Sequence, residues 1–139
     1  MTYKLPKEID TFTSDLRSTI NNKFTYEQKA EGWGVGFDGR ILLHVRPEEM
    51  LRDDLYLLFD LYDGACRDIS VHWGGEPDHG FAYRGDYSDW KKLLQTTSKE
   101  ALSDGTFEME GDLRKWMEYK EANYMRIGCA QELPTEFEY

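Results

Sequence analysis

Between Arg40 and Trp73 the chain alternates apolar and polar side chains through three short segments, a period-two pattern that few architectures accommodate. Ile41, Leu43 and Val45 share one face of the first segment, Arg40–Arg46. Leu55, Leu57, Phe59 and Leu61 do so in the second, Leu55–Tyr62, and Ile69, Val71 and Trp73 in the third, Arg67–Trp73. Pro47 ends the first segment, and Asp63-Gly64 between the second and third is a hairpin turn signal. The opposite faces carry Tyr56, Asp60, Tyr62, Asp68, Ser70 and His72. The pattern predicts an antiparallel meander with one apolar and one wet face, which is how a sheet covered by helices on a single side reads.

The flanking segments supply those helices. From Pro6 to about Asn22, Ile9, Phe12, Leu16 and Ile20 recur at spacings of a helical stripe, which predicts a helix over 7–22 covering one edge of the core. Its polar face mixes Glu8, Asp10 and Asp15 with Lys7 and Arg17, unlike the basic face of a membrane-surface helix. Phe24–Glu31 fits helix or strand equally. Gly34-x-Gly36-x-x-Gly39 satisfies the dinucleotide-binding spacing, yet Gly39 opens a strand rather than a helix, so no helix N-terminus faces a pyrophosphate there. These glycines are read as turns, with Trp33 and Phe37 as packing or ligand-contact aromatics.

Downstream, Phe81-Ala82-Tyr83-Arg84 is a fourth strand, turning at Gly85-Asp86. Trp90, Leu93 and Leu94 mark a helix, and Thr106–Glu110 a fifth strand with Phe107 and Met109 on one face. Asp112 is placed as the N-cap of a last helix, whose apolar positions are Leu113, Trp116, Met117, Tyr124 and Ile127, with Gly128 as its C′ residue. Pro134 lies in a tail, 128–139, read as irregular. The expectation is a single domain over 1–139 with its core at 39–127: an α/β chain in the broad sense (α+β), a five-stranded, mainly antiparallel sheet with helices on one face.

This order of elements, and Ala101-x-x-x-Gly105 followed by Gly111-Asp112-Leu113 after a helix ending in Leu93-Leu94, resembles the sterol carrier protein type 2 family of lipid-binding domains. The connection Gln95–Glu100 departs from the family pattern: a Gly after the leucine pair and a Pro before Ala101 are missing. The resemblance implies an apolar cavity between sheet and helices, set beside the helices at Trp90–Leu94 and Leu113–Met125. Its candidate lining is Leu43, Phe59, Phe81, Trp90, Leu94, Leu102, Phe107, Met109, Trp116, Met117 and Tyr124. The implied function is non-catalytic binding or transfer of a fatty acid, fatty acyl-CoA, sterol-like or isoprenoid lipid, with no cofactor.

Composition narrows the alternatives. Twenty-seven acidic against 17 basic residues leave a formal charge of −10 on 139 residues. With the basic residues scattered among carboxylates, phosphate backbones and anionic headgroups are repelled, so neither nucleic acid nor stable membrane insertion is expected. No apolar run reaches the length of a membrane span, and no apolar signal segment follows Met1, so a cytoplasmic location is expected. Cys66 and Cys129 lack metal or redox spacing and read as small buried residues. His44, His72 and His79 show no paired-ligand spacing. Two other readings stay open: a small enzyme or enzyme subunit using wet-face His and Asp residues, and a compact interaction module whose core is full. Oligomeric state is not legible.

Overall fold

The computed structural model describes residues 2–98 and 105–139. Its main sheet comprises β2 (Ile41–Arg46), β3 (Leu55–Tyr62), β4 (Ala65–Trp73), β5 (Phe81–Asp86) and β6 (Glu108–Glu110), in the order β4-β3-β2-β5-β6. All neighbouring pairs are antiparallel except β2 and β5, which run parallel with Ile41 opposite Phe81. Alternation sends Ile41, Val45, Leu55, Leu57, Phe59 and Leu61 into the core as expected. A register shift at Asp60/Leu61 places Leu61 opposite Cys66 and lets Cys66 and Ile69 both point inward. Trp73 departs from the expectation: it ends the edge strand and is 48% exposed.

Parallel pairing of β2 with β5 requires the chain to return along the full length of the sheet after β4. Residues 74–80 do this with the Gly74 N–H bonded to the Asp54 carbonyl and the Gly80 N–H to the Arg40 carbonyl. Glu76 and His79 of this loop reach Arg84 and Glu110 on the face away from the helices. That face is therefore less wet than alternation alone implies: Leu42, Tyr56 and Ala82 are buried there in a small second cluster.

Helices α1 (Ile9–Asn21), α2 (Phe24–Lys29), α3 (Tyr87–Gln95), α4 (Leu113–Glu118) and α5 (Lys120–Glu132) follow the expected order. Ile9, Phe12, Leu16 and Ile20 are all buried. Asp86 and Asp89 form a reciprocal capping box on α3, and the Asp112 side chain caps α4 by accepting from the Arg114 N–H. The glycine-rich stretch after α2 makes turns, with Trp33 buried.

Three expectations are corrected. The last helix is two, broken at Tyr119 (φ −111°, ψ 22°), and Gly128 lies inside α5 rather than ending it. Burial of Ile127, Cys129 and Ala130 around it outweighs the helix penalty of glycine, about 1 kcal/mol. The tail is not irregular throughout: β7 (Thr135–Phe137) pairs in parallel with β1 (Tyr3–Leu5), burying Tyr3 and Leu5. The fifth strand is three residues long rather than five.

Gly105 and Gly111 flank β6 with φ of +99° and +118°. At Gly111 an added Cβ would also stand 2.4 Å from the Phe81 ring, whereas at Gly105 it would meet nothing within 4 Å. Gly111→Val is expected to destabilise by more than the ~1 kcal/mol of an ordinary propensity change, and by more than Gly105→Val, which carries the backbone strain alone. Equal melting temperatures for wild type and both variants would contradict this placement.

Candidate functional site

Between the inner face of the sheet and the helices lies an apolar cavity of about 80 Å³. Its floor is Ile41, Leu43, Val45, Leu57, Phe59 and Tyr83 from the sheet. Ile9, Phe12 and Leu16 of α1 form one wall, and Tyr87, Trp90, Leu93 and Leu94 of α3 another. Arg126, Ile127 and Ala130 of α5 close a third side, with Leu5 and Phe137 of the small two-stranded sheet beside them. The Trp90 indole N–H donates to the His44 carbonyl at 2.9 Å, which fixes the ring against β2.

Of the residues expected to line a cavity, Leu43, Phe59, Trp90 and Leu94 meet here. Phe107 stands behind Trp90, with ring centroids 4.5 Å apart. Phe81, Met109 and Trp116 belong instead to a separate recess of about 270 Å³ between β5, β6 and α4, and Tyr124 packs edge-on against Trp116. Met117 is 52% exposed and Leu113 62% exposed, so the outer face of α4 looks to solvent. Leu102 lies outside the described residues. The break at Tyr119 swings α4 off the cavity, and α1 takes the place that had been expected for it.

Two polar features went unnoticed in the sequence. Arg126 is only 7% exposed, yet it lines the apolar cavity. Its guanidinium donates to the Tyr26 hydroxyl at 3.3 Å and to the Asn123 carboxamide oxygen. No carboxylate pairs with it among the described residues. The hydroxyl of Tyr83, lining the same cavity, is buried without a hydrogen-bond partner among the described residues, as is the Asn123 side-chain nitrogen. Burial pushes the Tyr83 and Tyr26 phenols above their ordinary range, so both stay as O–H groups. The Cys66 thiol, buried nearby, is pushed up to about 12 and is inert as a nucleophile. The signal for Arg126 was its setting: Ile127-Gly128-Cys129-Ala130 follows at once, small and apolar in turn, as expected where a helix is enclosed.

On the opposite face His44 and His79 join a charge network. His44 stacks on Tyr56, and its Nδ1 accepts from Arg84 at 2.9 Å. That arrangement places the ring proton on Nε2, which donates to Asp54 at 2.7 Å. Arg84 also binds Glu76 at 2.6 Å and Glu110, and His79 stands 3.7 Å from Glu110. The Ser70 hydroxyl and His72 Nε2 are 2.9 Å apart on the edge strand. Among the described residues no cluster of three or more His, Cys, Asp or Glu is arranged to hold a metal ion. The network joins the loop at 74–80 to the sheet through mutual neutralisation.

Hydrogen bonds from Arg84 hold the Glu76 and Glu110 carboxyls below the usual range. Carboxyls depressed by folding contribute stability that is fully present above their unfolded pKa and lost as pH falls from about 4.3 through the depressed folded values. Both groups are partly solvated, so the contribution is modest. Arg84→Met should therefore cost more stability at about pH 7 than at about pH 3, measured by urea unfolding. An equal cost at both would show that Arg84 acts through packing alone.

No protein-family model and no curated protein matches this sequence. Solved structures do. A crystal structure of sterol carrier protein 2 superposes with a TM-score of 0.76 over 88% of this chain and 95% of its own, at 23% identity. A solution structure of a conserved Thermus thermophilus protein, described as a candidate sterol carrier protein, gives 0.76 and 23% over 91% and 89% of the two chains. The sterol carrier protein domain 2 of Helicoverpa armigera gives 0.54 and 13% over 92% and 96%. The chain has the sterol carrier protein 2 fold.

Proposed function

We propose that this protein is a non-catalytic carrier of an apolar ligand, held in the cavity between the main sheet and α1, α3 and α5. The observation that carries the reading is a cavity walled by aliphatic and aromatic side chains from all three helices, in a fold shared with sterol carrier protein 2. Ligand affinity then comes from burying hydrocarbon, at roughly 25 cal/mol per Å² or about 0.8 kcal/mol per methylene. A cytoplasmic location and a ligand of the fatty acid or isoprenoid kind go with this reading.

About 80 Å³ is well below the roughly 300–1,000 Å³ of small-molecule sites, so on this reading the helices around the cavity must part to admit a lipid chain. The competing reading, an interaction module with a filled core, draws on the same small volume and takes no lipid.

Organic extraction of the purified protein followed by mass spectrometry separates the two. Lipid is expected from wild type and is expected to fall sharply in Ala130→Phe, which fills the cavity from α5. A folded wild type that yields no lipid, and takes up none when a fatty acid is supplied, contradicts the carrier reading.

A further inference from the structure

The polar end of the cavity holds positive charge with no negative partner among the described residues. Withdrawing a guanidinium from water costs several kcal/mol unless an anion and good hydrogen bonds compensate. Arg126 has two neutral acceptors, Tyr26 and Asn123. Beside it stand further donors without acceptors: the Asn123 side-chain nitrogen and the Tyr83 hydroxyl of the same cavity, whereas the Tyr87 hydroxyl lies toward Glu138 and Tyr139. What this end of the cavity lacks is a compact acceptor bearing negative charge. The remaining lining is hydrocarbon.

We infer that Arg126 is a headgroup anchor, and that the cavity takes a single-chain carboxylate with its charged end turned inward against α5. This rests on the carrier reading and narrows its ligand class. A carboxylate presents two coplanar oxygens that match the guanidinium fork, while the Asn123 nitrogen and the Tyr83 hydroxyl serve the remaining lone pairs. Tyr26 and Asn123, each 1% exposed, leave no outlet beyond the guanidinium for a phosphodiester or nucleotide head. A sterol-like or isoprenoid alcohol supplies no charge and leaves Arg126 unpaired. Selection for the acid over the alcohol of the same chain follows from Arg126 alone.

The test is calorimetric titration of delipidated full-length protein with decanoate and with decanol, for wild type, Arg126→Met and Arg126→Lys. Methionine keeps the apolar stem of the side chain without the guanidinium, and replacing buried charged groups by apolar ones is often tolerated by folds. Wild type is expected to bind decanoate at least about tenfold more tightly than decanol. Arg126→Met should erase that preference and leave decanol binding intact, and Arg126→Lys should restore part of it. Bound decanoate with an isotopically labelled carboxyl carbon should be shielded from a paramagnetic relaxation agent in the water, a reading that needs no variant. Equal affinities of wild type for acid and alcohol overturn the anchor while leaving the carrier reading in place. So does a carboxyl carbon open to the aqueous agent, or an Arg126→Met protein that keeps the preference. Binding of neither compound overturns both.

Discussion

Trp33→Ala is expected to lower the unfolding free energy by about 3–5 kcal/mol, the range for deleting a large buried aromatic. Trp33 is buried in the turn region after α2 and contacts three rings: Phe37, Phe81 and Tyr119, at centroid separations of 5.2, 4.8 and 5.3 Å. It thereby ties the glycine-rich turns to the start of β5 and to the junction of α4 with α5. Its indole N–H donates to the carbonyl of Gly39 at 2.8 Å, just before β2. Removing the ring leaves a void among aromatics that cannot collapse together, and an orphaned carbonyl besides. Trp33→Phe keeps most of the packing and loses chiefly the hydrogen bond, so its cost should be nearer 1 kcal/mol. Urea unfolding with an unchanged denaturant slope is the measurement. A loss below about 1 kcal/mol for the alanine variant would mean that the ring cluster does not hold the turns to the sheet.

That cluster also shows what is legible in the sequence. Gly34, Gly36 and Gly39 read as turns because a strand and not a helix follows them; Gly34 and Gly36 do form turns, and Gly39 lies in the extended lead into β2. The meander, its inward residues and the amphipathic α1 are equally plain, since each depends on periodicity or on a local turn such as Asp63-Gly64. The fold resemblance rests on element order and on Gly111-Asp112, and the structure bears it out.

What escapes a sequence reading depends on distant partners. The pairing of Tyr3–Leu5 with Thr135–Phe137 joins three-residue strands from opposite ends of the chain, and nothing local distinguishes such strands from coil. Leu113 and Met117 have helical spacing with Trp116, yet the turn at Tyr119 aims them at solvent. Consequently α4 drops out of the pair of helices expected beside the cavity, α3 and α5 stay, and α1 joins them. Met109 and Trp116 go with α4 to the second recess. Arg126 is easily passed over because an arginine on a helix is ordinarily solvated, and only the packing of α5 encloses it.

The placement of the ligand is the central claim, and it separates the tryptophans. Trp90 lines the cavity between sheet and helices, Trp116 lines the recess under α4, Trp33 is enclosed in the ring cluster, and Trp73 stands at the sheet edge. A heavy-atom quencher acts only near contact, so a bound acyl chain reports which indole it touches. Trp90 is wedged between the chain's expected path and Phe107, and both replacements needed for the test are aromatic and conserve most of the packed volume.

The most direct measurement is quenching of tryptophan fluorescence by a fatty acid brominated along its chain, in wild type, Trp90→Phe and Trp116→Phe. The structure predicts saturable quenching in wild type and in Trp116→Phe, and its near-complete loss in Trp90→Phe although that variant still binds the unbrominated acid. Quenching that survives in Trp90→Phe and disappears in Trp116→Phe would place the ligand in the recess under α4 and contradict the account.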